Sequence, residues 1–341
     1  FNSIQYDEYT VEVNGEYSVD MSEAYSRLGV FVTYAERVLA SNRLKICPSA
    51  LSFPSSYLHL NEVSGRKNSA NGHSVDAPLV DTIIRFHAGG DLSLLAKALF
   101  SLRIAEGGII VRPLVACQDL DEKDIQSVYS IIDKCSWPEE ARPKLIHFRS
   151  SLDEPDCRSR MLNEALRHVD SEYFAFLDYD DYVFPDAYAY LAKRIEQTQK
   201  DVVFGRVYVA SFDYSRMLIE GKRKEFDYGY SYADYIRLNH APIHSFLLRT
   251  RLLGKGFPRF VVGMKYMEDY LLTLQLFTKD NCDWDSLVMS RYIGDYVYAR
   301  NSSALGTLSL DESSRDNVLA NEQYIECERI INKMRDEISQ Q

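Results

Sequence analysis

From Leu79 to about residue 210, apolar runs of strand length alternate with helical segments, and this alternation restricts the fold more than any other feature of the chain. LVDTIIRF is followed by a helical stretch over 91–103, IIVRPLVAC by one over 121–134, and PKLIHF by one over 156–168. YFAFLD then leads to a helix starting near Pro185, read as a first helical position, and the series ends with DVVFGRVYVA. Strands joined through helices require right-handed crossovers, so the pattern predicts an α/β fold with a mainly parallel sheet flanked by helices. Ligands of such sheets bind beyond the carboxyl ends of the strands, and polar residues placed there are the candidates for chemistry.

The flanks carry different patterns. Residues 1–18 are acidic, Tyr-bearing and without clear period. From Met21 the apolar positions Met21, Tyr25, Leu28, Val32, Ala35 and Leu39 form one helical stripe, with Asp20 and Glu23 as a capping box. Its strict heptad spacing predicts either a helix docked on its own domain or a seam against an upstream module or second subunit. Residues 61–75 are polar and Gly/Asn/Ser-bearing and read as a linker. The expected organisation is therefore an N-terminal helical extension and linker (1–76), an α/β domain (77–305) and a C-terminal helix (306–341). The second half adds a Tyr-rich segment at 226–235, a strand-like IHSFLLRT, a helix from about Glu268 and a strand ending in DYVYAR. A last helix over about 313–338 bears Leu319, Ile330, Ile331, Met334 and Ile338 on one face.

Charge and composition exclude whole classes. A net charge of −11 opposes nucleic-acid binding by phosphate neutralisation, and 46% hydrophobic residues are enough for a full core. No run approaches the roughly 20 apolar residues of a membrane span. The chain starts at Phe1 without a basic and apolar leader, which suggests processing or a piece of something longer. Six scattered cysteines without a CxxC pair argue against zinc and redox sites and for free buried thiols in a reducing, cytoplasmic compartment. The basic run Gly221-Lys222-Arg223-Lys224 reads as a solvated loop, or as a contact for an anionic acceptor or the headgroups at the inner face of a membrane.

The sharpest local feature is Asp178-Tyr179-Asp180-Asp181, which follows the apolar strand YFAF at its carboxyl end. Strand alternation puts Asp178 and Asp180 on one face. Carboxylates converging in this way repel one another unless a cation intervenes, and hard oxygen donors suit Mg²⁺ or Mn²⁺ carrying a diphosphate. The bland alternative is a polar strand-to-helix turn. A second acidic pair, Glu268-Asp269, opens the helical run LLTLQLF, where the helix dipole favours the ionised forms. Such a carboxylate is either a plain capping residue or a general base.

Together these residues resemble the inverting nucleotide-sugar glycosyltransferases of family 2, which have the GT-A fold. The resemblance runs over most of 79–303. It is carried by TIIRFHAGG with its following helix, by Gln118-Asp119 at the end of the second strand, and by the ordered block CRSRMLNEALRHVDSEYFAFLDYDD. It implies transfer of a sugar from a nucleotide-diphosphate sugar to a hydroxyl of a glycan or glycolipid, in surface polysaccharide assembly of the bacterial type. It also implies roles: Asp119 on the nucleotide base, Arg160 near base and phosphates, Asp178 on ribose or metal, and Asp180 on the metal. Asp269 would be the base, with Glu268 positioning the acceptor.

His244 corresponds to a position near the metal or leaving phosphates in some relatives, and Arg300 to a late Tyr-Arg stretch that closes over the donor. Arg85-Phe86-His87 departs from the family's Pro-Thr at the first strand; Arg85 there is either a phosphate contact or a solvated charge. Tyr214, Tyr228, Tyr230, Tyr232 and Tyr235 cluster where an acceptor groove is expected. Two rival functions remain. A sugar nucleotidyltransferase would need a Gly-rich, Arg-containing loop that AGGDLS does not supply, and a non-catalytic saccharide-binding domain would have no use for Asp180 and Asp269 together.

Overall fold

The computed structural model describes residues 3–6, 9–12, 77–135, 137–151, 157–213, 218–223, 231–254, 256–299 and 321–340. The chain divides into two compact units, one formed by Phe1–Ala77 with Asp213–Ile219 and the other by the remainder. In the first unit, β1 (Ser3–Tyr6) and β2 (Tyr9–Glu12) pair as an antiparallel hairpin in a stretch where the sequence shows no clear period. The expected heptad helix from Met21 and the linker at 61–75 lie outside the described residues.

The second unit is built on a seven-stranded sheet. Its strands are β3 (Leu79–His87), β4 (Ile110–Gln118), β5 (Lys144–Phe148), β6 (Tyr173–Asp178), β8 (Val202–Phe204), β11 (Phe246–Arg249) and β12 (Cys282–Asp283), in the order β12-β8-β11-β6-β3-β4-β5. Strands β6, β3, β4 and β5 are parallel, β12 is parallel to β8, and β11 runs antiparallel to both its neighbours. The mainly parallel α/β architecture expected from the sequence is the one observed. Pro113 is tolerated in β4 although it lacks an N–H, because β5 takes up its pairing only from Leu114.

Both faces of the sheet are covered, and strand alternation divides the core between them. Ile84, Val115, Ala175 and Leu177 face α1 (Leu92–Arg103), α2 (Glu122–Asp133) and α4 (Ala187–Thr198). Ile83, Leu114, Phe174, Phe176 and Phe246 face α3 (Arg158–Ala165), α6 (Glu268–Leu276) and α8 (Glu322–Ser339), the last contributing Cys327, Ile331 and the flanking Ile330, Met334 and Ile338. Helix ends follow capping chemistry: Asp91, Asp121 and Asn321 each accept a first-turn amide through the side chain. Pro185 does not open α4 as expected; it precedes the N-cap Asp186. Among the described residues no helix is long and apolar enough to cross a membrane.

The amino edge of the sheet is tied by an ionic latch. Arg112 and Asp81 face each other across β4 and β3, with Nε and Nη2 donating to the two carboxylate oxygens at 2.7 and 2.9 Å. The same Asp81 accepts the amides of Asp170 and Ser171 at the entrance to β6, and Arg112 also bridges Asp170. A buried carboxylate with this many donors holds three consecutive strands in register.

The run DVVFGRVYVA is not one strand. It breaks at Gly205, whose amide donates to Ser245 O, and the chain passes from β8 into β9 (Arg206–Asp213) of a second sheet. That sheet has the order β10-β9-β13-β7, with β10 (Leu218–Arg223), β13 (Tyr292–Ala299) and β7 (Tyr182–Val183). A Cβ at Gly205 would stand 2.6 Å from Ile293, so the crossing needs glycine. The basic run is also not simply solvated. Lys222 Nζ is buried against Asp295 at 2.8 Å and lies over the rings of Phe184 and Tyr208.

Gly294 pairs with Val183, and a Cβ there would meet Tyr182 O at 2.5 Å and Val183 Cα at 3.1 Å. Backbone atoms cannot swing aside, so Gly294→Ala is expected to destabilise the chain by about 2 kcal/mol or more. A lowered urea midpoint at unchanged m-value checks it.

Candidate active site

Strand register brings together what the sequence separates. Arg85 in β3 lies directly opposite Asp178 at the end of β6. Beyond Asp178 the chain turns back on itself, the Asp181 amide donating to Asp178 O at 3.0 Å. This turn, rather than strand alternation, places Asp180 and Asp181 beside Asp178, with oxygens of all three within 4.8 Å of one another.

Each carboxylate of the cluster has a different surrounding. Asp178 accepts from Arg85 Nε at 2.6 Å and from Nη2 at 2.9 Å, one oxygen to each nitrogen. Asp181 is buried; it accepts the Val297 amide at 2.6 Å and contacts His244 Nδ1 at 3.2 Å. Burial pushes its pKa up, although His244 pulls the other way. Asp180 is raised well above the usual carboxylate range by burial and by the charges of Asp181 and Asp178. A half-buried carboxylate repelled from two sides favours positive charge beside it, and three oxygen donors at this spacing fit a hard divalent cation.

The second acidic pair stands at the start of α6, behind Met267 in the left-handed region at φ 58°. Such a conformation costs a non-glycine residue on the order of 1 kcal/mol or more, and it turns both carboxylates into the site without a side-chain cap at the helix start. Glu268 is buried and its Oε1 accepts from Arg85 Nη1 at 2.9 Å and Arg158 Nη1 at 3.1 Å. Asp269 Oδ1 accepts the Tyr270 amide at 2.7 Å. The helix dipole was expected to keep this pair readily ionised. Burial, with Glu268 next to it, instead pushes Asp269 up to about 6, against the pull of Arg85. Desolvation outweighs the dipole because the group lies inside the site rather than on a solvated helix end.

The other expected residues are placed as follows. Asp119, in the left-handed region at φ 57°, ends β4 at the carboxyl edge, but its oxygens accept from Ser150 N (2.8 Å), Ser150 Oγ (2.6 Å) and Gln118 Nε2, which hold it below the usual carboxylate range. Arg160 is on the exposed face of α3, and it is Arg158 that reaches Glu268. Helical phase explains the difference: 158 shares a face with the buried Leu162 and Ala165, whereas 160 does not. His244 is fully buried, stacked parallel to Tyr296 and set against Asp181, so it stands behind the cluster rather than among the three grouped carboxylates. Tyr235 is a core residue packed on Tyr270 and Phe277, which leaves it no ring face for a sugar, whereas Tyr232 is half-buried against Trp284. Arg300, Tyr214, Tyr228 and Tyr230 lie outside the described residues.

Residues 152–257, which include the Asp178–Asp181 turn, Arg158 and His244, match the family model described as Glycosyl transferase family 2. This stretch is similar to the family 2 glycosyltransferases. Asp269 lies just past the matched stretch. No curated protein matches the sequence. Among solved structures, residues 1–349 of TarS from S. aureus, crystallised with UDP-GlcNAc, align with 17% identity over 71% of this chain and 70% of that one, at a TM-score of 0.47. The same TarS fragment with UDP gives 17% identity, coverage of 71% and 69%, and a TM-score of 0.46.

An Asp whose folded pKa exceeds its unfolded value favours the fold while protonated, and that contribution is lost as pH rises from about 4 to about 6. Asp269→Asn should therefore stabilise the chain at pH 8 relative to pH 4, by on the order of 2 kcal/mol. Thermal unfolding of both chains across this range, without added metal, checks the sign.

Proposed function

We propose that this domain is a metal-dependent, inverting glycosyltransferase that moves a sugar from a nucleotide-diphosphate donor to a hydroxyl of a glycan or glycolipid. The observation that carries the reading is the single guanidinium of Arg85, which touches both Asp178 of the acidic turn and Glu268, the chain neighbour of Asp269. It ties the two carboxylate sets, one suited to a cation and one suited to a proton, into one cleft at the carboxyl edge of the sheet.

Inverting transfer needs two kinds of help. As the acceptor oxygen attacks the anomeric carbon, its proton must go to a base on the attacking side. Asp269 suits this role because a pKa of about 6 leaves it ionised at neutral pH yet basic enough to take the proton. Its Oδ1 is oriented by the Tyr270 amide. The acidic turn, through Asp180, would hold a divalent cation, whose chemistry is to neutralise the charge that develops on the departing diphosphate. Glu268, whose Oε1 accepts from Arg85 and Arg158, is fixed at the start of α6 beside the proposed base, where it would position the acceptor. His244 acts on the cluster through Asp181, as a positioning residue.

Incubation with Mn²⁺ and a panel of nucleotide sugars, read as released nucleotide and as heat stabilisation, tests the donor class. Asp269→Asn keeps the shape and removes the proton acceptor, so turnover should fall ~100-fold or more with donor affinity little changed. Asp180→Asn should instead weaken metal-dependent nucleotide binding sharply. Near-normal turnover in Asp269→Asn, or a product of retained anomeric configuration by NMR, would sink the mechanism.

A further inference from the structure

The acidic turn is not uniformly open to a cation. Arg85 spends all three guanidinium nitrogens on carboxylates: Nε and Nη2 on the two oxygens of Asp178, and Nη1 on Glu268. Burial alone would lower its pKa, but Asp178, Glu268 and Asp269 together raise it, so the charge is permanent. A fork that covers both oxygens of one carboxylate leaves a second cation two obstacles there, the occupied lone pairs and the repulsion of the guanidinium. Asp181 is engaged by the Val297 amide and His244. Asp180 differs from both. Among the described residues no cationic side chain bridges it, and the like charges of Asp181 and Asp178 weigh on it more than the attraction of Arg85.

We propose that Arg85 is a resident counter-ion and positioning residue, not a ligand of the donor phosphates: it withdraws Asp178 from the metal set and leaves Asp180 as the principal ligand of the divalent cation. The inference rests on the metal-dependent reading of the site. Its consequence is that the chain carries one permanent charge where the acidic turn and the base-bearing helix meet, and takes up only the remaining positive charge from solution. The same fork that shields Asp178 holds Glu268, so Arg85 also sets where the start of α6 stands relative to the turn.

Mn²⁺ alone, followed by electron paramagnetic resonance on the full chain, tests this without turnover. Removing the counter-ion frees Asp178, so Arg85→Gln should bind Mn²⁺ more tightly, by about tenfold, and the gain should vanish in Arg85→Gln with Asp178→Asn. Asp178→Asn in the otherwise native chain should change Mn²⁺ affinity by less than about threefold, whereas Asp180→Asn should abolish binding. Unchanged or weaker Mn²⁺ binding by Arg85→Gln, beside the expected loss in Asp180→Asn, would overturn the role of Arg85 while leaving the metal reading intact. If Arg85→Gln does not fold, Asp178→Asn decides, since a loss there as large as in Asp180→Asn overturns the proposal. Absence of Asp180-dependent Mn²⁺ binding in every chain would overturn the metal reading and this inference with it.

Discussion

Mutual repulsion among five carboxylates, Asp178, Asp180, Asp181, Glu268 and Asp269, is the constraint to which the rest of the cleft is fitted. Like charges gathered at the end of a sheet drive one another toward neutrality unless positive charge is built in beside them. Here Arg85 and Arg158 supply it from β3 and α3, and His244 stands behind Asp181. Burial, together with incomplete compensation, raises the pKa values of Asp180, Asp181 and Asp269, while Asp178 and Glu268 are held by arginines. A fully neutralised cluster would be more stable.

Much of this fold was legible in the amino-acid order because the sheet is buried on both faces. Continuous apolar runs such as YFAFLD, set between helical segments, suit central strands covered on both faces, and the capping residues Asp91 and Asp121 announce their helices. What periodicity does not carry is a change of partner within one run. DVVFGRVYVA reads as a single strand, yet the close approach of Ile293 to Gly205 splits it between two sheets. The strand in IHSFLLRT was expected, but its antiparallel direction as β11 was equally invisible, since direction is a property of the connection and not of the strand. The hairpin of β1 and β2 is too short for alternation to rise above its polar surroundings.

At the site, the residue types were readable and their roles less so. The Asp turn and Glu268-Asp269 stand out by composition, but whether a carboxylate is spoken for depends on neighbours far along the chain. Asp119 meets Ser150, 31 positions away, and Glu268 meets Arg85, 183 positions away. The apolar positions 161, 162 and 165 define which side of α3 faces inward, and that side carries Arg158, which the sequence reading did not single out. Arg85 needed the β3–β6 register, and no local pattern contains that.

The latch of Asp81, Arg112 and Asp170 lies at the opposite margin of the same strands. Asp81 and Arg85 are four residues apart in β3, so roughly 13 Å of strand separates the ionic cluster that fastens the sheet from the one that faces the cleft. Neither cluster shares a side chain with the other. One end of the molecule is thus a fixed chassis and the other a replaceable tool head. Loops following β3, β4, β5 and β6 can change without disturbing the strand alignment, which is underwritten elsewhere.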